Sequence, residues 1–208
     1  MPRGEDTLAG MPTGESPPTA SARTLSPIAA GFLEDLRGWT PVSPAQRRLQ
    51  QDYVDLAAQG DEAFRRRPRP EHLTASCFIF DDTLTQVLLC FHGKGRFWVQ
   101  LGGHIEDADD SVPEAAFREA AEESGLTTLR PLRRTPVDLN VHPLGSGFSH
   151  CTAHWDVGYA AIAPRDARIV VSEESEDVAW WPVDRMPANA ADEFDVRLHT
   201  VLTELGVS

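Results

Sequence analysis

Three glutamates in one short segment constrain this chain more than any other feature. Glu119, Glu122 and Glu123 lie at positions i, i+3 and i+4, so on a helix that turns about 100° per residue all three project from one face. Carboxylates placed in this way repel one another and destabilise an isolated helix. A divalent cation offsets that repulsion, and hard oxygen ligands suit Mg²⁺ or Mn²⁺. A charged face exposed to solvent is the alternative for the helix taken alone.

The residues around the glutamates predict where the helix begins and ends. Ser111 is followed by Val112-Pro113-Glu114, which is the order of an N-cap, a proline in the first turn and a capping-box glutamate. Gly125 stands where a left-handed residue closes a helix. The pair Gly102-Gly103 lies upstream, and glycine lets the backbone approach a ligand closely. A glycine pair and an acidic helix joined by a short loop therefore favour a metal-assisted ligand site.

This segment resembles the signature of the Nudix hydrolase family, G-x5-E-x7-R-E-U-x-E-E-x-G-U, in which U is aliphatic. Arg118 to Leu126 match every position. Gly103 stands at the first glycine and Asp110 at the first acidic position, with six residues between them in place of five. We interpret the difference as one extra residue in the loop before the helix. The resemblance covers roughly residues 70 to 205.

The resemblance implies an enzyme that uses a divalent metal to hydrolyse a diphosphate linkage in a nucleoside diphosphate derivative or a nucleoside triphosphate. Mg²⁺ is the implied cofactor, with Mn²⁺ as a substitute. The implied metal ligands are the Gly103 carbonyl, Glu119, Glu122 and Glu123. The implied catalytic residues are Arg118, Glu122, Glu123 and Glu174, with Asp110 paired to Arg118. A module that binds a nucleotide without turnover is the alternative, but such a module need not keep every metal carboxylate.

Histidines form the second candidate site. His150, Thr152, His154 and Asp156 alternate, so a strand places them on one face, and His142 lies upstream. Three interpretations stay open: a structural polar face, contacts to substrate, or a site for a second, transition metal. The predicted contacts to substrate are Arg96, His104, His150 and His154. This arrangement, with the run that begins at His72, is similar to a bacterial Nudix subgroup.

Glutamates also crowd the segment from Ser172 to Glu176. The resemblance implies a glutamate outside the signature that binds metal or acts as a general base, and Glu173 or Glu174 matches that place. A solvated acidic loop is the alternative.

Composition and net charge limit the classes of ligand and partner that this protein is expected to bind. The 208 residues carry a formal net charge of −13, which disfavours nucleic acid and anionic membranes because phosphates are neutralised by Lys and Arg. No apolar run approaches 18 residues, so we expect a cytoplasmic protein acting on a small nucleotide. The three cysteines lack metal spacing and predict buried, reduced thiols. A homodimer is implied by the resemblance alone.

The chain divides into three parts by composition. Residues 1–26 are rich in Pro, Gly, Ser and Thr and predict disorder, residues 27–69 predict a helical extension, and residues 70–208 predict the Nudix domain. Strands and two principal helices at fixed places in that domain predict an α/β class fold, an α/β/α sandwich around a mixed sheet. The predicted strands are 72–80 and 87–91, joined as a hairpin, 96–101, a broken segment within 126–139, 151–162 and 178–182. An arginine cluster at positions 65–69 is interpreted as a linker or as a contact to phosphate or to an acidic neighbour.

Overall fold

A mixed sheet of eight strands organises the computed structural model, which describes residues 25–144, 151–171 and 175–207. The elements of these residues are α1 (Pro27–Gly38), α2 (Pro44–Ala57), a 3-10 turn (Asp61–Phe64), β1 (Glu71–Phe80), β2 (Gln86–His92), β3 (Phe97–Val99), β4 (Leu101–His104), α3 (Val112–Ser124), β5 (Arg130–Pro131), β6 (Asp138–Pro143), β7 (Ala153–Ile162), β8 (Ser175–Pro182) and α4 (Phe194–Glu204).

Strand β1 is the centre of the sheet. It pairs along its whole length with β7 in the parallel direction, and antiparallel with β4 and β2 on its other edge. The register Ile79 to Leu88 confirms the predicted hairpin between β1 and β2. Strand β6 lies on the far side of β7, and β8 lies beside β2. The parallel pair joins two segments that are about 80 residues apart in sequence.

Helices cover both faces of the sheet. Residues of α1, α2 and α3 form one apolar cluster with side chains such as Leu73, Val157 and Tyr159. Phe194, Leu198 and Val201 of α4 pack on the opposite face, against Phe78 and Phe80. These two layers around a mixed sheet confirm the predicted α/β/α sandwich.

The segment from Arg96 to Leu101, predicted as one strand, is divided between two strands. The chain changes partner at Gln100: β3 pairs with β2, whereas β4 pairs with β1. Gly102 and Gly103 therefore lie inside β4 and not in a loop. A side chain at Gly102 is excluded because a Cβ there would come within 2.5 Å of the Ser76 Cα atom. Gly102 thus permits close strand packing at the point where β4 meets β1.

The N-terminal helices pack on the domain. Ser43 caps α2 by accepting a hydrogen bond from the Ala45 amide at 3.2 Å. Gln46 does not reach back to complete a capping box; its amide donates to Asp138 at 3.2 Å and to the Leu139 carbonyl at 3.0 Å. The buried Tyr53 hydroxyl donates to the Asp156 carbonyl at 2.9 Å. Helix α2 is therefore held against the edges of β6 and β7 by polar contacts as well as by apolar burial.

A buried ion network ties α4 to the sheet. Arg197 donates to Asp138 and to Asp156, each at 2.6 Å. Burial alone would raise the pKa of Asp156, but the charges of Arg197 and His142 and the hydrogen bonds from Ser76 and Arg197 together lower that pKa below its ordinary value. Burial dominates at Asp138 and raises the pKa of that carboxyl. One guanidinium thus compensates two carboxylates on adjacent strands.

The three cysteines agree with the prediction made from their spacing. Cys77, Cys90 and Cys151 are buried thiols with no disulfide. Burial raises the pKa of Cys90 to about 12, so this thiol stays protonated.

Within the described residues, no helix combines the length and the apolar character that crossing a membrane requires.

Replacement of Arg197 should strongly destabilise the fold. Arg197→Met leaves two buried carboxylates without their cation, and breaking a buried pair commonly costs about 3–5 kcal/mol. Urea unfolding monitored by circular dichroism measures the loss. Arg165→Met, at an exposed position, is the matched control and should change stability by less than about 0.5 kcal/mol. Equal stabilities of the two variants would contradict this account of the network.

Candidate active site

Helix α3 carries the three glutamates and ends as the sequence predicts. The Ser111 hydroxyl accepts a hydrogen bond from the Glu114 amide at 3.4 Å. Gly125 adopts a left-handed conformation with φ of 67°, and its amide donates to the Ala121 carbonyl at 2.8 Å. Ala115, Ala116 and Ala120 are fully buried, so the backbone of the helix approaches the sheet closely. The acidic side chains are thereby presented beside β4.

Arg118 is the hub of the site. Its guanidinium donates to both oxygens of Asp109 at 2.9 Å, and to the His104 carbonyl at 3.1 Å. It also donates to Glu119 at 3.1 Å and to Glu122 at 3.2 Å. These bonds raise the pKa of Arg118 further, so the cation is permanent. Arg118 therefore connects the loop after β4 to two of the three glutamates of α3.

The acidic partner of Arg118 is Asp109, and the prediction that Asp110 takes this role is wrong. Asp110 is exposed, whereas the Asp109 side chain is only 5% exposed and also accepts a hydrogen bond from the Glu106 amide at 2.8 Å. Five residues separate Gly103 from Asp109, as in the family signature. The extra residue lies instead between Asp109 and Arg118, where the loop enters the helix.

Two of the glutamates lie against the glycine pair. A Cβ on Gly103 would come within 2.6–2.7 Å of the Glu119 carboxylate, so a larger residue here would push the end of that side chain away. The Gly102 amide donates to Glu123 Oε2 at 2.9 Å, and the Ser175 hydroxyl lies 3.5 Å from Glu123 Oε1. Glu123 is thus a buried carboxylate held by the backbone of β4. Glu122 differs, because its side chain is 61% exposed.

The residues present fit a hard divalent cation. Glu119, Glu122 and Glu123 offer carboxylate oxygens from one side of α3, and the Gly103 backbone lies against one of them. Oxygen donors of this kind are the ligands that Mg²⁺ and Mn²⁺ prefer. The ligand oxygens of the three glutamates do not all lie within 4.8 Å of one another, and Arg118 bridges Glu119 and Glu122. A cation shared by all three glutamates would therefore require their side chains to turn toward one another.

Four histidines form a row across the strands on one face of the sheet. His142 in β6 lies opposite His154 in β7, which in turn lies beside His72 in β1. His104 in β4 is opposite Thr74, two residues from His72. Adjacent rings in this row have centroids 5.0–5.5 Å apart.

The imidazoles of this row are neutral at pH 7. Burial lowers the pKa of His72, His104 and His154 to about 4, and Coulomb repulsion from nearby groups adds to the effect. His72 is fully buried, and neither of its ring nitrogens has a hydrogen-bond partner. His104 Nε2 is likewise buried and unpartnered. The cluster therefore presents lone pairs or N–H groups that no side chain nearby satisfies.

Asp156 is not part of this cluster, although the alternation of residues placed it with the histidines. Its carboxylate accepts hydrogen bonds from Thr74 at 3.0 Å, Ser76 at 2.6 Å and Gln100 at 3.2 Å, in addition to Arg197. With its oxygens already occupied, Asp156 is a structural acceptor. Among the interpretations left open, a second metal site that uses Asp156 as a ligand is therefore wrong.

The basic residues predicted near the site are separated. Arg65 pairs with Asp107 in the loop before α3, which matches the predicted contact to an acidic neighbour. Arg66 is close enough to lower the pKa of three histidines of the row. Arg96 pairs with Glu176 at 2.5 Å, is exposed, and lies over the ring of Phe91. His150, Glu173 and Glu174 lie outside the described residues.

Sequence reasoning missed His72 as a member of the histidine cluster and Asp109 as the partner of Arg118. His72 could have been found from the pattern His72, Thr74, Ser76, a polar alternation within an otherwise apolar strand. The choice between Asp109 and Asp110 had no such signal, because adjacent aspartates in a loop look equivalent in sequence.

Asp109 and its neighbour provide a matched test of the Arg118 ion pair. Asp109→Asn should lower the free energy of unfolding by about 1–3 kcal/mol, and Asp110→Asn should have almost no effect. Burial alone would raise the pKa of Asp109, but the bonds and charge of Arg118, the Glu106 amide and the charge of Arg65 together lower that pKa below its ordinary value. The advantage of the natural protein over Asp109→Asn should therefore persist above about pH 4 and vanish as pH falls through the lowered pKa. Urea titrations at several pH values measure both effects, and an equal loss in Asp110→Asn would contradict the assignment.

Comparison with known proteins agrees with this geometry. The family model described as NUDIX domain matches residues 70–201. A NUDIX family hydrolase from Clostridium perfringens has 27% identity and a TM-score of 0.52, over 64% of this chain and 97% of that one. The dihydroneopterin triphosphate pyrophosphohydrolase of E. coli has 18% identity and a TM-score of 0.51, over 65% of this chain and 94% of that one. A UDP-X diphosphatase has 16% identity and a TM-score of 0.52, over 86% of this chain and 95% of that one. The matched share of this chain is larger than residues 70–201 alone, so the structural match extends beyond the segment that the family model covers.

No curated protein sequence matches the chain significantly. The family match covers more than half of the residues and coincides with the glutamates of α3, the glycines of β4 and the Arg118 hub. The chain therefore belongs to the Nudix family of pyrophosphohydrolases.

Proposed function

We propose that the protein hydrolyses a diphosphate linkage in a nucleoside diphosphate derivative or a nucleoside triphosphate, with Mg²⁺ as cofactor and Mn²⁺ as a substitute. The observation that carries the proposal is the placement of Glu119 and Glu123 against Gly103 and Gly102, with Arg118 holding the adjoining loop. A substrate diphosphate and three carboxylates are all anionic, so they can share this region only with cations between them.

The metal would be held by Glu119, Glu122, Glu123 and the Gly103 carbonyl. When bound, it neutralises charge on the phosphate oxygens and lowers the pKa of a coordinated water. Glu123 contributes a ligand whose orientation is fixed by the Gly102 amide, and Glu119 a ligand fixed against Gly103. Arg118 acts as a positioning residue, because its donors are occupied by Asp109, the His104 carbonyl and two glutamates.

The general base would be a carboxylate that solvent can reach. Glu122 meets this requirement best among the helix glutamates, since its side chain is 61% exposed while Glu123 is buried. Glu174 is the second candidate, on the resemblance alone. A base must lie within hydrogen-bonding reach of the water that it deprotonates. Loss of the pH dependence of kcat in Glu174→Gln but not in Glu122→Gln would transfer the role to Glu174.

The substrate class is argued from charge and from structural relatives. The net charge of −13 disfavours long polyanions, so a small nucleotide is the better ligand. The solved structures of similar fold include a UDP-X diphosphatase, and its similarity extends into the helical extension of this chain. Arg96 is proposed to exchange its exposed pair with Glu176 for a substrate phosphate. An unchanged KM in Arg96→Ala would remove it from the substrate site.

Two glutamate substitutions test the proposal. Glu122→Gln and Glu123→Gln should each reduce Mg²⁺-dependent turnover by about 10²-fold or more, because each removes a charge-stabilising carboxylate. Phosphate release should be measured with nucleoside diphosphate sugars, dinucleoside polyphosphates and nucleoside triphosphates, with identification of the products.

The control is Glu114→Gln, an exposed glutamate in the first turn of the same helix, which should retain full activity. Thermal melting of all three variants checks that they remain folded. Full hydrolysis by Glu122→Gln and Glu123→Gln would overturn the proposed site, and binding of a nucleotide by the natural protein without any product would overturn the proposed reaction.

A further inference from the structure

Three histidines from three different strands meet at one point on the sheet. His72 in β1, His104 in β4 and His154 in β7 each offer one ring nitrogen, and these nitrogens all lie within 4.8 Å of one another. Among the described residues, no other group of three or more His, Cys, Asp or Glu has ligand atoms this close together. The strands fix the three Cα positions, since β1 pairs with β7 on one side and with β4 on the other.

The burial of His72 indicates that a ligand completes this cluster. A neutral imidazole has one N–H donor and one acceptor nitrogen, and leaving such groups buried and unpaired costs about 1–3 kcal/mol each. Both ring nitrogens of His72 are buried without a hydrogen-bond partner, and so is Nε2 of His104. His104 and His154 are partly exposed, which leaves a path to the cluster from solvent.

We propose that His72, His104 and His154 form a binding site for a borderline transition-metal cation, for which Zn²⁺ is the best fit. Neutral imidazole suits zinc, copper, iron and nickel, whereas Mg²⁺ prefers oxygen ligands. Three protein ligands leave one tetrahedral position for water or for a substrate oxygen. This site differs in ligand chemistry from the carboxylates of α3, so one protein would hold two kinds of cation.

The geometry requires only a small adjustment of the rings. Zn–N distances of about 2.0–2.1 Å in a tetrahedral site place the ligand nitrogens about 3.3 Å apart. The rings must therefore close by about 1.5 Å at most, which side-chain torsions supply without moving the strands. His142 lies beside His154, with Nδ1 at 3.2 Å from the Asn140 side-chain oxygen, and so lines the site next to the three ligands.

The positive charge of Arg66 is the main effect that opposes cation binding at this site. Its guanidinium is near enough to act on all three imidazoles, so it repels a cation placed among them. An anionic fourth ligand, such as hydroxide or a phosphate oxygen, would offset that repulsion. The histidine site is also adjacent to the carboxylate site along the chain. His104 follows Gly103 directly, and the His104 carbonyl accepts a hydrogen bond from Arg118.

The experiment is metal binding by the full chain. The protein should be stripped with a chelator, dialysed, and titrated with Zn²⁺ and with Co²⁺ in the presence of excess Mg²⁺, which occupies the carboxylates. We expect one equivalent of Zn²⁺ to be retained and Co²⁺ to give the visible spectrum of a tetrahedral site. X-ray absorption of the zinc-loaded natural protein should show three imidazole ligands, and this readout needs no variant.

Variants locate the site. His72→Ala, His104→Ala and His154→Ala should each weaken Zn²⁺ binding by more than about 100-fold, since loss of a ligand exceeds the effect of losing an outer-shell partner. His199→Ala, an exposed histidine of α4, and Glu123→Gln should bind as the natural protein does. Arg66→Gln should bind more tightly, by relief of repulsion.

Three outcomes would overturn the proposal: no retained zinc, an absorption spectrum without imidazole ligands, or binding that is lost in Glu123→Gln but kept in His72→Ala. None of these outcomes bears on whether Glu122→Gln and Glu123→Gln lose hydrolysis, so failure of the zinc site and failure of the proposed reaction are distinguishable.

Discussion

The repulsion among closely spaced carboxylates is the constraint on which the site depends. Glu119, Glu122 and Glu123 sit on one side of a helix whose other side is buried alanine, so the charges cannot turn away from one another without losing the packing of α3. Arg118 partly compensates them from within the helix, and Asp109 fixes Arg118 from the loop. The Gly102 amide contributes a further donor to Glu123. Glu119 and Glu123 thus lie against β4 before any cation arrives, whereas the exposed Glu122 has to turn toward them to share one.

The helix, its caps and its acidic face could be predicted because their determinants are local. Ser111, Gly125 and the glutamates act within a few residues of one another, and the nine-residue match from Arg118 fixes their order. The partner of Arg118 could not be predicted in the same way. Asp109 and Asp110 are chemically identical, and the choice depends on how the loop folds, including the bond from the Glu106 amide to Asp109.

The histidine cluster shows the same limit over a longer range. Alternation identified one polar face of β7, but membership of the cluster depends on which strand lies beside it. The parallel pairing of β1 with β7 aligns His72 with His154 across about 80 residues of sequence. Asp156 on the same face is diverted to Arg197, a residue of the last helix whose role no local pattern indicates. Sheet registry, rather than composition, therefore decides which polar residues become neighbours.

The buried carboxylate of Glu204 links α4 to the segment between α1 and α2, and this link bears on where the protein can be truncated. Glu204 accepts hydrogen bonds from the Trp39 indole at 2.9 Å, from the Val42 amide at 2.8 Å and from Arg133 at 3.0 Å. The family match, at residues 70–201, excludes Glu204 together with α1 and α2. A fragment trimmed to those limits would expose the apolar surface beneath both helices. It would also remove the Glu204 acceptor of Arg133, which would keep only its bond to the Pro136 carbonyl. We therefore expect the smallest piece of this chain that folds independently to be larger than residues 70–201.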